Sequence, residues 1–274
     1  MVRMVGKAQM GGLPLQQQIA NGLRARIEAG ELQPGDEVPT LATVAEQWGC
    51  TTATAQTALS TLKQEGLITG GRGKPATVRV PPKRVRLSSG DHQRQKDLVR
   101  RPEVERAVTG AIEITTGTQI ADTEFSARYE TVSASSDLAA VFGLAEGAQL
   151  LRRTYTTADR ATRHLLLWSV SHIPVALIEE NPDLMDQSKE PWPGGHQHQL
   201  YTVGIEVDRF EKSLIAVQSS PLDRDLWGMD AGVALLKVRT MSVDTEERVV
   251  EVSEATYPAD RAEVAWTERM ARWQ

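Results

Sequence analysis

The sequence predicts an α+β protein of two domains, a helical N-terminal domain and a C-terminal domain built on an antiparallel sheet. The first observation behind this prediction is a helical periodicity that a glycine interrupts within residues 39–67. The second is an internal repeat in the C-terminal half. The third is a division of charge, because residues 1–86 carry 11 Lys and Arg against 6 Asp and Glu, whereas the remainder carries 20 against 30. A basic domain before an acidic one is expected when only the first meets phosphate backbones.

Composition is typical of a soluble globular protein. The chain has 274 residues, enough for two cores, with 40% hydrophobic and 24% charged residues. No apolar run approaches the ~20 residues that span a bilayer, and the N-terminus lacks the apolar core of a signal peptide. The single cysteine, Cys50, cannot form an intrachain disulfide. We therefore expect a cytoplasmic protein with no membrane segment.

The N-terminal domain is expected over residues 13–82, after a flexible arm of residues 1–12 whose Arg3 and Lys7 could touch DNA. A first amphipathic helix is predicted from Leu15 to Ile27, because apolar residues recur there every four positions and Gly30 closes the pattern. A Pro-Gly pair at residues 34–35 then suits a type II turn.

Residues 39–67 predict a helix-turn-helix. Val44, Ala45 and Trp48 share one face of its first helix, and Gly49 ends that helix. The second helix repeats apolar residues at helical spacing, at Ala55, Ala58, Leu59 and Leu62. Small polar residues lie on the other side and suit a DNA major groove, or cap the helix: Thr51, Thr52, Thr54, Gln56 and Thr57. The alternative is a helix pair from an unrelated bundle.

A β-hairpin, or wing, is predicted to follow, with strands at residues 67–68 and 78–80. Its tip, residues 70–74, is glycine-rich and can lie close to DNA, where Arg72 and Lys74 supply positive charge. A phosphate-binding P-loop is rejected, because Pro75 stands where that motif requires Ser or Thr.

The N-terminal domain resembles the winged helix-turn-helix of the GntR family of bacterial transcription regulators. The resemblance spans about 55 residues and includes Pro34-Gly35-Asp36, Val38-Pro39-Thr40, Ala45-Glu46 and Glu65-Gly66-Leu67-Ile68. It implies an operator-binding homodimer whose DNA contacts come from Thr40, the polar side of the second helix, Arg72 and Lys74. Members of the family commonly have arginines at the positions of Ala42, Thr52 and Gln56, and this chain has none of the three. We therefore expect neutral side chains to contact the bases, with Gln56 able to pair with adenine.

Residues 83–103 are predicted as a stiff, basic linker, and residues 104–268 as the second domain. Within that domain, residues 143–174 and 228–259 share features at a constant offset of 85. Each copy predicts a helix, a glycine turn and a β-hairpin, with strands near 150–157 and 164–173 and again near 235–243 and 248–257. Two hairpins can form one antiparallel sheet with helices on one face and room for a ligand.

This second half resembles the UTRA effector-binding domain of the HutC branch of GntR regulators, which has a chorismate-lyase-like fold. The resemblance rests on residues 140–147, Ser171-His172-Ile173-Pro174, Gly204-Ile205 and Asp260-Arg261. It implies a small anionic or polar effector that releases a repressor from its operator. Candidate effector-binding residues are Arg152, Arg153, Ser171, Glu251 and Tyr257. The apolar run at residues 165–168 departs from relatives that bind phosphorylated sugars.

Two other classes of function stay open. The second domain could serve assembly without binding a ligand, or could be an enzyme of the chorismate-lyase-like fold. The sequence shows no nucleophile, base and orienter at recognisable spacing and no cofactor loop. His196 and His198 have a metal-like spacing without an acidic or cysteine partner nearby. We expect neither catalysis nor a cofactor or metal.

Overall fold

The computed structural model describes residues 12–70, 75–82, 84–88, 90–108, 122–267 and 270. The chain divides into two compact units. The first contains the chain up to Pro82 together with Gln218–Ser220 and Met229–Val233, and the second contains the rest. A search of the described residues found no helix that could span a membrane.

The described residues of the first unit form three helices and a small antiparallel hairpin, as predicted. The helices are α1 (Leu15–Glu28), α2 (Leu41–Trp48) and α3 (Thr52–Gln64), and the strands are β1 (Ile68–Thr69) and β2 (Thr77–Val78). Gly49 has a φ of 60° and separates α2 from α3, which is the left-handed conformation that ends many helices. This confirms the predicted helix-turn-helix and the strands of the wing.

The core of the first unit forms where the apolar faces of the helices meet. Of the predicted α1 stripe, Ile19 and Leu23 are buried, whereas Leu15 is exposed. Gly22 lies where α1 meets α2, since a Cβ there would be only 2.9 Å from the Trp48 ring. The other buried residues include Val44, Ala55, Ala58, Leu62, Ile68 and Val78.

The turn between α1 and α2 is of the predicted type. The amide of Asp36 donates to the carbonyl of Gln33 at 2.9 Å, and Gly35 has a φ of 94°. Pro34 therefore takes the first central position of a type II turn and Gly35 the second, where only glycine is unstrained.

Residues 83–103, predicted as a linker, contain secondary structure that belongs to the second unit. Strand β3 (Val85–Ser88) pairs in parallel with β10 (Ala262–Ala265) near the end of the chain. Helix α4 (Gly90–Leu98) follows, and α5 (Glu103–Val108) comes after it. Backbone pairing with a strand more than 170 residues away overrides the polar local composition that indicated a linker.

The second unit is built on a six-stranded antiparallel sheet whose order is β4-β5-β6-β9-β8-β7. The strands and the helices between them are β4 (Thr123–Ser133), α6 (Ser136–Phe142), β5 (Gln149–Asp159), β6 (Leu165–Pro174), α7 (Gly195–Tyr201), β7 (Val207–Val217), α8 (Pro221–Trp227), β8 (Leu235–Asp244) and β9 (Val249–Pro258). The two predicted hairpins are confirmed, and their inner strands β6 and β9 pair at the centre of the sheet.

The internal repeat is confirmed and is longer than the sequence indicates. Each copy also includes the strand before its helix, so that β4-α6-β5-β6 corresponds to β7-α8-β8-β9. The offset is 85 from α6 through β8, but it is 84 in β9, since Leu150 pairs with Pro174 and Leu235 pairs with Pro258. The constant offset of 85 is therefore wrong for the last strand. The second hairpin loop is one residue shorter, because Asp159 pairs with His164 whereas Asp244 pairs with Arg248.

The helices cover both faces of the sheet, not one. Leu150 and Leu151 point to opposite faces because side chains alternate along a strand. Leu150 packs with Ala139 of α6, whereas Leu151 packs in a cluster that includes Leu200 of α7. The predicted one-sided arrangement is wrong because helical periodicity does not reveal which face of a sheet a helix covers.

Candidate functional site

The first candidate site is the solvent face of α3. Thr52, Gln56 and Thr57 are exposed there, and Thr54 is half-buried. The Gln56 amide nitrogen donates to the Ser60 hydroxyl at 3.3 Å. This face is polar, as the sequence predicts, carries the exposed Lys63 in its last turn, and lies opposite the buried apolar face of the same helix.

Several of the predicted DNA-binding threonines also stabilise the helices. The Thr40 hydroxyl accepts from the amide of Thr43 and caps α2, and the Thr51 hydroxyl accepts from the amide of Thr54 at 3.2 Å and caps α3. The Thr57 hydroxyl donates to the carbonyl of Ala53. Sequence reasoning left open whether these hydroxyls cap helices or face DNA. Arg3, Lys7, Arg72 and Lys74 lie outside the described residues.

Thr51→Ala should destabilise the first unit by about 1 kcal/mol, because an orphan amide at the start of α3 loses its acceptor. Thr52→Ala is the matched control, since Thr52 is exposed and follows the cap. Urea unfolding of both variants measures the difference. Equal stabilities would show that the cap contributes nothing measurable.

The second candidate site is a buried polar cluster in the second unit, centred on Arg153 of β5. The Arg153 side chain is 1% exposed and uses three of its nitrogens. Nε donates to the Ser171 hydroxyl at 2.9 Å, Nη1 donates to the Gln199 amide oxygen at 2.6 Å, and Nη2 donates to a Glu251 carboxylate oxygen at 2.6 Å. Three strands and α7 therefore meet at one guanidinium.

A close ion pair balances the charge of this buried guanidinium. Burial alone would raise the pKa of Glu251, but nearby His196 and Arg153 outweigh burial and lower it to about 2. Burial alone would lower the pKa of Arg153, but electrostatic interactions with the Tyr155 hydroxyl and the Glu251 carboxylate outweigh that effect and raise it. His196 Nδ1 lies 3.0 Å from the same Glu251 oxygen. The pair is therefore ionised at neutral pH.

A second carboxylate, that of Glu190, completes the cluster. One oxygen accepts from the hydroxyls of Tyr129 and Tyr155 and from the Gln199 amide nitrogen, the last two at 3.0 Å. The other oxygen accepts from the amide of Trp192 at 2.7 Å. Burial would raise the pKa of Glu190, but these hydrogen bonds, with the Tyr129 hydroxyl first, lower it. Burial raises the pKa of Tyr129 to about 12, so this tyrosine stays a donor.

The structure brings together only some of the predicted effector-binding residues. Arg153, Ser171 and Glu251 meet, whereas Arg152 points to the opposite face of β5 and pairs with Glu130 at 3.1 Å. Tyr257 is six positions from Glu251 along β9, about 20 Å of extended strand. It lies opposite Leu236, and burial raises its pKa to about 12.

Sequence reasoning missed the residues that close the cluster. Gln199 and Glu190 lie in the segment between the repeats, where no periodicity indicated a role. Alternation along β5 does place Tyr155 on the same face as Arg153, and this signal was available in the sequence. His196 was considered only as a metal ligand, and the described residues contain no group of three or more His, Cys, Asp and Glu that could hold a metal.

Two family models match the chain. Residues 15–78 match bacterial regulatory proteins of the gntR family, and residues 126–263 match the UTRA domain. The second match covers about half of the chain, and the arginine-centred cluster falls within it.

Similar proteins agree with these matches. The HTH-type transcriptional repressor NagR of Bacillus subtilis (strain 168) is 24% identical over 249 residues, 91% of this chain and 92% of the relative. The mannosyl-D-glycerate transport/metabolism system repressor MngR of Escherichia coli (strain K12) is 34% identical over 70 residues, 26% of this chain and 29% of the relative. A crystal structure described as a GntR-family transcriptional regulator has a TM-score of 0.66 at 23% identity and covers 94% of this chain and 98% of its own. That likeness shows the fold.

Proposed function

The chain belongs to the gntR family of bacterial regulators that carry a UTRA domain, and from this premise we propose that it is a cytoplasmic repressor. It binds operator DNA as a homodimer, and a small effector bound in the second unit releases it. The main observation in support is that the same chain has a polar, exposed face on α3 and a buried arginine-centred cluster in its second unit. Relatives named as transcriptional repressors support this direction of regulation.

Operator recognition is assigned to α3 in the major groove. The Gln56 amide offers the donor and acceptor pair that suits adenine, while Thr52 can contact bases or phosphate. Selection of DNA from a random duplex pool by the full chain tests this assignment. A palindromic consensus is expected, because a symmetric dimer reads two equal half-sites. Failure to enrich any duplex would overturn the proposed function.

The homodimer is supported by apolar surface on one edge of the sheet. Edge strand β7 exposes Leu214 at 45% and Ile215 at 57%, and α8 exposes Leu222 at 67% and Leu226 at 48%. An apolar edge strand with unpaired backbone groups is a template for a second chain. We therefore assign the contact between copies to β7 and α8.

Leu214→Asp combined with Ile215→Asp should convert the dimer to monomers, because burying unpaired carboxylates at the contact is costly. Sedimentation velocity of the full chain measures the change. The control is Val104→Asp, which alters a residue 72% exposed on α5. If the double variant sediments as the wild-type chain does, the contact between copies does not involve Leu214 and Ile215.

The effector site is assigned to the Arg153 cluster. A buried guanidinium surrounded by hydrogen-bonding side chains can recognise an anionic or polar group with high specificity. Calorimetry of a candidate effector with and without operator tests the coupling, because an effector that weakens DNA binding must itself bind more weakly to the DNA complex by the same factor. Equal affinities in the two titrations would exclude that compound as the releasing effector.

A second candidate function is assembly without a ligand. It is favoured by the chain's own side chains, since Glu190, His196 and Gln199 fill the space around Arg153. A ligand screen by thermal shift on the full chain decides between the two, because a compound that binds the folded state raises its melting temperature.

A further inference from the structure

The carboxylate of Glu190 is held as a bound ligand would be held. Its donors Tyr129, Tyr155 and Gln199 stand on β4, β5 and α7, whereas Glu190 itself comes from the loop before α7. We call the place that these three donors surround the seat. A loop side chain can leave the seat without breaking a hydrogen bond of the sheet. We propose that the effector of this chain is a small carboxylic acid, and that the carboxylate of Glu190 occupies the effector's seat when no effector is bound.

The charge of the cluster makes the carboxylate of an incoming acid a competitor of the Glu190 carboxylate. Arg153 already pairs with Glu251 at 2.6 Å, and Gln199 connects the guanidinium to Glu190 by accepting from one and donating to the other. A third carboxylate next to Glu190 and Glu251 would be repelled. An incoming acid therefore replaces Glu190.

The donors of the seat favour a carboxylate over a phosphate. Within the described residues, the hydrogen-bond donors to Glu190 are two hydroxyls, a side-chain amide and the Trp192 amide, all of them neutral. A phosphate dianion costs more to desolvate than a singly charged carboxylate, so a set of neutral hydrogen bonds offsets the cost more fully for the carboxylate.

His196 is a partly exposed neighbour of the cluster. Its side chain is 40% exposed, its Nδ1 lies 3.0 Å from Glu251, and its ring centroid lies 5.4 Å from that of Tyr155. His196 and Gln199 are three positions apart and share one face of α7. An acid that enters beside His196 therefore reaches Gln199 and the tyrosines first. This inference rests on the proposed function, because it gives the ligand chemistry of the same site.

Chemical rescue tests the seat. Glu190→Ala removes a methylene and a carboxylate, and acetate supplies the same atoms. Sodium acetate at about ten times its dissociation constant should raise the melting temperature of the full-length variant by about 3–6 °C relative to sodium chloride of equal ionic strength. The wild-type chain should show no such rise, because Glu190 fills the seat. The control Glu180→Ala removes an exposed acid outside the cluster and should behave as wild type does.

A second substitution and a second anion complete the test. Adding Tyr155→Phe to Glu190→Ala should abolish the acetate effect, and sodium phosphate should not replace acetate. Equal acetate shifts for Glu190→Ala and Glu180→Ala would overturn the seat, and equal shifts with phosphate would overturn the carboxylate class. If Glu190→Ala does not fold, saturation-transfer NMR should detect acetate binding to Glu190→Ser, whose short side chain also leaves the place of the carboxylate empty, and not to the wild-type chain. Absence of binding there would also overturn the seat.

DNA binding separates this inference from the proposed function. The affinity of Glu190→Ala for a duplex selected by the wild-type chain is measured with and without acetate. Acetate that stabilises the variant but leaves its DNA affinity unchanged would support the seat and count against effector release. Release of the wild-type chain by another compound, with no acetate rescue of Glu190→Ala, would support the function and overturn the seat.

Discussion

Arg153→Met should destabilise the second unit by about 3–5 kcal/mol, because it leaves Glu251 buried without its cation. The Glu251 side chain is 4% exposed, and its carboxylate cannot regain water without opening the sheet. The matched control is the neighbouring Arg152→Ala. Arg152 and Glu130 are 42% and 36% exposed, and such pairs contribute about 0–1 kcal/mol. Urea unfolding followed by circular dichroism measures both losses.

A double-mutant cycle identifies the cause of that loss. Adding Glu251→Gln to Arg153→Met removes the stranded charge, so the double variant should lose less stability than the sum of the two single variants. Strictly additive losses would mean that the two side chains stabilise the sheet independently, and the ion pair would then not explain the effect.

The same pair predicts a dependence of stability on pH. The pKa of Glu251 is lowered to about 2 in the folded state, from about 4.3 in the unfolded chain. At pH values above about 4.3, the ionised carboxylate therefore stabilises the folded state by roughly 3 kcal/mol. This contribution is lost as the pH falls from about 4.3 towards 2. Glu251→Gln should therefore be less stable than wild type at pH 7 and should lose less stability on acidification.

Local patterns were sufficient to predict the first unit. Helices α2 and α3 begin at capping threonines, and all three helices end at or near glycines. Buried residues repeat at helical spacing within a helix, as Ile19 and Leu23 do in α1. Each of these signals lies within one or two turns of chain, so no distant contact is needed to interpret it.

The edges of the sheet were not predicted, because their residues lack an alternating pattern. Strand β7 is exposed on both faces from Glu211 to Ala216, so it shows no two-residue hydrophobic period. Strand β4 is likewise polar along most of its length. Both strands form through pairing with the hairpin strands beside them, and that pairing is not encoded locally.

The candidate site was predicted in part for a similar reason. Resemblance to a family indicated Arg153, Ser171 and Glu251, but strand alternation already argues against Arg152, because adjacent residues on a strand face opposite sides. Glu190 lies in the loop that follows the first hairpin and Gln199 on the short helix α7 after it, and nothing in the spacing of this segment shows where it folds back onto the sheet.

Arg72→Ala combined with Lys74→Ala should weaken binding to every duplex, because both residues are predicted to contact phosphate or groove walls. Each phosphate contact contributes about 0.9 to the slope of log affinity against log salt, so the double variant should lose about 1.8 from the slope. At 0.1 M salt this corresponds to a loss of affinity on the order of 50-fold. Fluorescence anisotropy over a series of salt concentrations measures the slope and the affinity together.

Two controls separate phosphate contact from base readout and from net charge. Gln56→Ala should leave the salt slope unchanged and relax the preference at one base pair of each half-site, since a bidentate base contact contributes about 1–3 kcal/mol of discrimination. Arg128→Ala with Lys189→Ala removes two positive charges from exposed positions of the second unit and should change neither quantity. If the Arg72 and Lys74 variant has the salt slope of the wild-type chain, the wing does not contact DNA phosphates. The reason is that the loss of two phosphate contacts must reduce the number of counterions released on binding.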